Sequence, residues 1–282
     1  MSAIAIQHTS PISYLFVDGG CVRAELNAMS KHYLGEPGKV RLNWAVIQYE
    51  YTKVFYYDAL PTRIDGETDQ EYQVRNSVML SAHEELRKLD RFHVYEGDVR
   101  RARGRQERAQ QKKVDVMIAV DMLLHTFRRN MQSATLIASD LDFAPLLHAL
   151  IREGMFLTLW YPPAATSAEL QSAADSRRHF TAATLSSALL TDDGRPLIPN
   201  WTMGVLHMRQ GTHFDEWDLE DGRKIIMGTA PDHYMCEITN TGGRTVAYAP
   251  HHDPRILLVT AEDWHGVTVP DAAFTLFGGR PD

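Results

Sequence analysis

Five aspartates stand where apolar runs end or a helix begins. Asp18 closes the run Ile12-Ser13-Tyr14-Leu15-Phe16-Val17, and Asp140 and Asp142 follow Ala134-Thr135-Leu136-Ile137-Ala138. Asp115 and Asp121 lie six residues apart in Lys113-Val114-Asp115-Val116-Met117-Ile118-Ala119-Val120-Asp121. In an open parallel sheet the carboxyl ends of neighbouring strands share one edge, where ligands bind. Carboxylates gathered there repel one another unless a hard divalent cation neutralises them, and Mg²⁺ or Mn²⁺ suits oxygen donors. The competing reading of Asp140 and Asp142 is a turn that caps the next helix. On a helix, six residues turn through about 600°, so Asp115 and Asp121 do not share a face. Asp115, near the helix start, is the better placed for a cleft, and the helix dipole favours its anion. Asp121 is interior to an apolar run, where a carboxylate needs a metal or a buried partner.

A basic stretch leads directly into Asp115. Arg100, Arg101, Arg103, Arg105, Arg108, Lys112 and Lys113 stand against Glu107. Cations beside an acidic metal cleft are what a phosphodiester substrate requires: they hold flanking phosphates while the metal faces the scissile one. A solvated charged loop is the alternative. The C-terminal histidines, His251-His252 among them, lack a convincing ligand spacing. Cys21 has no evident general base and reads as packing.

The elements that position these acids follow from apolar patterning. Strands are predicted at 12–18, 53–58, 91–95, 134–138 and 155–161. Helices are predicted at 22–34, 41–51, 71–89, 114–128, 142–153 and 168–174. Val74, Val78, Leu86 and Leu89 share helical spacing in the third. Val114, Ile118, Leu123 and Phe127 are the expected buried side of the fourth. Strands alternating with helices imply right-handed βαβ units and a parallel sheet covered on both faces. After Asp192-Asp193-Gly194-Arg195-Pro196 the rhythm changes to short apolar runs at 204–208, 224–227, 235–238, 245–248 and 256–259, which predicts a small antiparallel β module. The expected division is therefore 1–190 and 196–282.

Charge separates the two parts. Residues 191–282 hold 7 Lys/Arg and 14 Asp/Glu, which leaves 22 of each among residues 1–190. The net charge of −7 thus resides in the last third, so a polyanion would bind the first part. No apolar stretch approaches the roughly 20 residues of a bilayer span, so no membrane association is expected. No signal peptide is evident, and two distant cysteines suggest no disulfide framework. A cytoplasmic location is expected.

The combination Phe16-Val17-Asp18-Gly19-Gly20, Lys113-Val114-Asp115-Val116 with Asp121, and Ser139-Asp140-Leu141-Asp142-Phe143 resembles the NYN domain (LabA-like, DUF88) family of the PIN-like ribonuclease superfamily. Leu170, Ala174-Asp175 and Phe180 also resemble the end of such domains, and the likeness spans about residues 12–185. It implies an α/β fold, a PIN-like three-layer sandwich with a central parallel sheet, here followed by the small mainly-β module. It implies a metal-dependent (endo)ribonuclease in which Asp18, Asp115, Asp140 and Asp142 line the Mg²⁺ or Mn²⁺ cleft, with Asp121 alongside and Asp175 as a further candidate. RNA is the expected substrate and DNA the alternative. Two positions depart from the family pattern: Cys21 stands where the family has Asn, and Ser139 where it has Gly. Losing the Asn removes a polar group from the cleft rim. The rival expectation is a catalytically weak or inactive PIN-like domain that binds nucleic acid or protein. A protein partner acting through the C-terminal module, and self-association, are both open to such a chain.

Overall fold

The computed structural model describes residues 11–61, 64, 66–97, 107–203 and 214–281, with backbone only at 107–112 and 214. These residues group into two compact units. One combines Met1–Glu25 with Trp44–Thr181, and the other Leu26–Asn43 with Ala182–Asp282. Residues 26–43 thus join the C-terminal part, a grouping that a linear boundary near 190 does not anticipate.

In chain order the elements through residue 181 are β1 (Ser13–Asp18), α1 (Gly19–Leu34, the first unit holding it through Glu25), β2 (Val40–Leu42, in the second unit), α2 (Trp44–Ile47), β3 (Lys53–Ala59), α3 (Asp69–Arg75), α4 (Ser77–Arg87), β4 (Phe92–Gly97), α5 (Glu107–Phe127), β5 (Ser133–Ile137), α6 (Ala144–Arg152), β6 (Phe156–Tyr161), α7 (Ala168–Ser172) and β7 (Ser176–His179). Among the described residues the sheet has six strands in the order β4-β3-β1-β5-β6-β7, and every pairing in it is parallel. The runs are apolar without strict alternation because both faces are covered. Phe16, Phe55, Tyr57, Leu136, Leu157 and Leu159 pack with Ile118 and Met122 of α5 and Leu147 and Leu150 of α6. The opposite face carries Tyr56 and Asp58 of β3, reached by His83 of α4. The chain builds outward from β1 through β3 to β4, then returns to β1's other side with β5. Asp18 and Asp140 therefore follow the two strands at the topological switch point.

Several local expectations are corrected. Residues 41–51 are not one helix. Val40–Leu42 pairs with a later strand, and the amide of Asn43 donates to the Ala188 carbonyl. The segment 71–89 breaks at Asn76, whose side-chain amide donates to the Tyr72 carbonyl, and Val74 and Val78 are exposed. Phe127 is also exposed, and the buried stripe of α5 runs through Val114, Ile118, Met122 and Thr126 instead. β7 was not anticipated because Ser-Arg-Arg-His has no apolar signature. Arg178 there stacks on the Trp160 ring at 4.3 Å and pairs with Glu50.

The second unit continues with β8 (Leu189–Thr191), β9 (Thr202–Met203), β10 (Phe214–Asp218), β11 (Lys224–Thr229), β12 (Tyr234–Thr239), β13 (Thr245–His251), α8 (Pro254–His265) and α9 (Asp271–Leu276). Five strands form an antiparallel sheet in the order β10-β11-β12-β13-β9. The run 256–259, expected as a strand, lies inside α8. Asp253 caps that helix by accepting from the Arg255 amide, Pro254 starts it, and Gly266 ends it at φ +58°. Its buried face, Ile256 to Ala261, lies against β12 and β13. His32 and Tyr33 of α1 both bond to Asp263 of α8, which joins the end of α1 to this unit. The run expected at 204–208 lies outside the described residues.

Candidate active site

Asp18 ends β1 and folds back on its own chain. Its Oδ1 accepts from the amides of Gly20 at 2.9 Å and Cys21 at 3.3 Å, so it caps α1. The side chain is buried. Burial pushes its pKa up to about 6 against the pull of the Cys21 and Gly20 amides, and nearby Asp58 adds to the rise. Gly19 leaves room for this arrangement: a Cβ there would stand 2.8 Å from Asp58 Cγ. The Cys21 thiol is buried and hydrogen-bonded to Ser139. Burial pushes its pKa up to about 12, so it stays a thiol.

Asp115 and Asp142 come together. With Val116, Ala119, Phe143 and Leu146 they line a cavity of about 230 Å³ walled by α5 and the start of α6. Asp142 is exposed, and Asp140 holds the turn that presents it: Asp140 Oδ1 accepts from the Asp142 amide at 2.9 Å. The turn-and-cap reading of Asp140 is thus met, and it leaves Asp142 lining the cavity.

Asp121 is placed elsewhere. It accepts a hydrogen bond from the Tyr57 hydroxyl at 2.7 Å and does not line the Asp115–Asp142 cavity. Tyr57 is the residue opposite Asp18 in register, and burial together with Asp121 drives its pKa upward. Asp175 is a correction. It precedes β7 and accepts from the Leu157 amide at 2.9 Å, near the start of β6, so it sits at the amino end of the sheet, away from the acid-bearing edge. Among the described residues, no three His, Cys, Asp or Glu side chains gather as a metal-holding group. Of the basic stretch, Arg100, Arg101, Arg103 and Arg105 lie outside the described residues. Arg108 and Lys112 belong to α5 by backbone, and Lys113 is exposed two residues before Asp115.

The residues that sequence reasoning missed form an ionic chain on the other sheet face, buried at Asp58 and His83 and part-exposed at its ends. Asp58, only 1% exposed at the end of β3, is bonded by Arg23 Nη1 and by His83 Nε2 at 3.0 Å. His83 Nδ1 meets Glu96 at 2.9 Å, and Arg87 meets Glu96 at 2.7 Å. Both ring nitrogens face carboxylate oxygens, a setting that favours the imidazolium form. Burial pulls its pKa down, but the bonds to Asp58 and Glu96 outweigh that and raise it. The signal for Asp58 was present: like Asp18, it ends an apolar run, Val54-Phe55-Tyr56-Tyr57.

A parallel sheet in this order, with acids at the carboxyl edge of its switch point, defines an α/β domain of the PIN-like kind. Residues 46–182 match the model of the NYN domain, so the chain carries an NYN domain, a domain of the PIN-like nuclease superfamily. β1 and Asp18 precede the matched stretch. No curated protein matches the chain. Among solved structures, a protein of unknown function from Vibrio parahaemolyticus is similar at 15% identity, covering 64% of this chain and 96% of its own, with a TM-score of 0.39. No helix among the described residues is long and apolar enough to cross a membrane.

Proposed function

We propose that the NYN domain is a divalent-metal-dependent endonuclease that hydrolyses phosphodiester bonds in RNA. The observation that carries this reading is the cavity shared by Asp115 and Asp142 between α5 and the turn that follows β5. The donor set fits Mg²⁺ or Mn²⁺. Mg²⁺ is commonly held by one or two carboxylates and completes its shell with water and substrate phosphate oxygens, so a two-carboxylate cavity suffices without a third ligand. Asp115 and Asp142 would hold the cation. When bound, it supplies a water of lowered pKa and stabilises charge on the leaving oxygen. Asp140 fixes the direction of Asp142 through the amide it binds. Asp18, its pKa pushed up to about 6 by burial, holds or releases a proton at its carboxyl group beside the start of α1. Asp121, tied to Tyr57, acts at a distance from the cavity lining, and the basic residues ahead of Asp115 hold the flanking backbone.

The second reading, a domain that binds without cutting, is favoured by one observation: the rim position where the family has Asn is a buried thiol bonded to Ser139. We propose residues 196–282 as an accessory module whose acidity suits a protein partner rather than the nucleic acid.

Labelled single-stranded RNA and DNA, incubated with Mn²⁺ or Mg²⁺ and with EDTA, test the reading beside Asp115→Asn and Asp142→Asn. Metal-dependent cutting of RNA that both substitutions abolish is the expected result. Binding without cutting in any metal selects the second reading, and preferential cutting of DNA corrects the substrate.

A further inference from the structure

We propose that Arg23 is a phosphate-binding residue for nucleic acid, held at the carboxyl edge of the sheet by the chain Asp58–His83–Glu96, whose first two members are buried. This rests on the reading of the domain as acting on nucleic acid. Arg23 lies five residues after Asp18, in the part of α1 that belongs to the same unit. Its side chain is 41% exposed, whereas that of its partner Asp58 is 1% exposed. Arg–carboxylate pairs are frequently bidentate, with two parallel N–H···O bonds to both oxygens. The Arg23 pair is not. Its Nη1 meets Asp58 Oδ2, while Asp58 Oδ1 is buried and has no hydrogen-bond partner. His83 already supplies a second donor to the same Oδ2. The Tyr56 hydroxyl takes another bond from Arg23. A guanidinium carries five N–H donors, so a half-exposed fork pinned by Asp58 and Tyr56 keeps donors for a further anion.

The anchoring explains why this arginine is suited to the task. Asp58 is fixed by His83, His83 by Glu96, and Glu96 by Arg87. The chain spans the ends of β3 and β4 and one helix, so the guanidinium is held in place before any ligand arrives. A pre-placed planar fork loses little freedom on meeting a phosphate. Its position beside Asp18 sets a cation next to the acid edge, as a phosphodiester close to a metal cleft requires.

The test is fluorescence anisotropy with labelled single-stranded RNA in EDTA, where no cutting intervenes. The unaltered chain is compared with Arg23→Lys and with Arg23→Gln/Asp58→Asn, which removes both charges together. The double variant should bind about tenfold more weakly, and its slope of log affinity against log salt should be shallower by about 0.7, the loss of one phosphate contact. Arg23→Lys should keep the slope. A merely structural role would leave the slope of the double variant unchanged. On the unaltered chain, saturating RNA should protect Arg23 from phenylglyoxal, read by mass spectrometry, which keeps the test independent of variant folding. Equal modification with and without RNA, an unchanged slope, or no binding by the unaltered chain overturns the proposal. Bound but uncut RNA in Mn²⁺ removes the hydrolase reading while leaving Arg23 in place. Cutting with an unchanged slope does the reverse.

Discussion

The Cys21 thiol is hydrogen-bonded to Ser139, so the two positions at which this chain departs from the family pattern touch each other. One follows the end of β1 and the other precedes Asp140 after β5. The pair joins the two strand ends on either side of the switch point with a weak, neutral contact. Because Cys21 is buried and its pKa is pushed up to about 12, almost none of it is thiolate at pH 8. Cys236 is also buried, and burial raises its pKa as well. Neither thiol should react with iodoacetamide at pH 8 in the folded chain, and both should react once urea unfolds it. Rapid labelling of Cys21 in the native state, read by mass spectrometry, would show the rim to be open.

Asp18 carries a charge at a stability cost. Its folded pKa of about 6 lies above the ordinary 3.8 of an aspartate, so the folded state binds that proton more tightly than the unfolded chain. The favourable protonated state is fully available below about pH 4. The penalty grows as pH rises between those two values and is complete above the folded one. Asp18→Asn retains an oxygen to cap α1 and removes the charge. It should stabilise the chain by about 2–3 kcal/mol at pH 7.5, with the gain shrinking toward pH 4.5. Urea unfolding at the two pH values measures this, and a gain independent of pH contradicts it.

The parallel sheet was legible because burial on both faces writes continuous apolar runs, and the acids were legible because they end those runs. What sequence could not supply was direction. Asp175 looks like another acid near a strand, but it precedes its strand where Asp18 ends one, and so lies at the opposite edge. The run 256–259 is too short for periodicity to distinguish strand from helix, and the cap at Asp253 and the stop at Gly266 decide it. Asp58 escaped notice because its partners Arg23 and His83 stand 35 and 25 residues away, and only the fold makes them neighbours.

Asp175 therefore provides an internal control. Asp175→Ala leaves the Leu157 amide without its acceptor and should cost about 1–2 kcal/mol of stability. Mn²⁺ affinity should be unchanged. Calorimetric titration with Mn²⁺, alongside thermal unfolding, checks both halves, and a loss of metal binding would return Asp175 to the site.

Asp115 and Asp121 should separate in the same titration. Asp115 lines the cavity with Asp142, whereas Asp121 is held by Tyr57. Asp115→Asn and Asp142→Asn should each weaken Mn²⁺ at least tenfold and reduce cutting by roughly a hundredfold. Asp121→Asn still offers an oxygen to Tyr57 and should change either quantity by no more than about threefold. An Asp121→Asn variant as impaired as Asp115→Asn would put Asp121 back among the ligands.

His83 should make the stability of this unit fall on the alkaline side. Its folded pKa is raised above the ordinary 6.5, because the bonds to Asp58 and Glu96 outweigh burial. The stabilisation is fully present below about pH 6.5 and is lost as pH rises through the folded value, the opposite side from a depressed carboxylate. His83→Gln keeps much of the volume and removes the charge between two acids. It should destabilise by about 2–4 kcal/mol at pH 6, as breaking one member of a buried ionic chain does, and by clearly less at pH 9. Arg23 and Arg87 contribute at both pH values, since neither loses its proton in that range, so the pH-dependent part isolates the imidazole. Unfolding curves for both chains at pH 6 and pH 9 decide the matter. A deficit that stays constant across that interval would mean that His83 fills space and carries no proton.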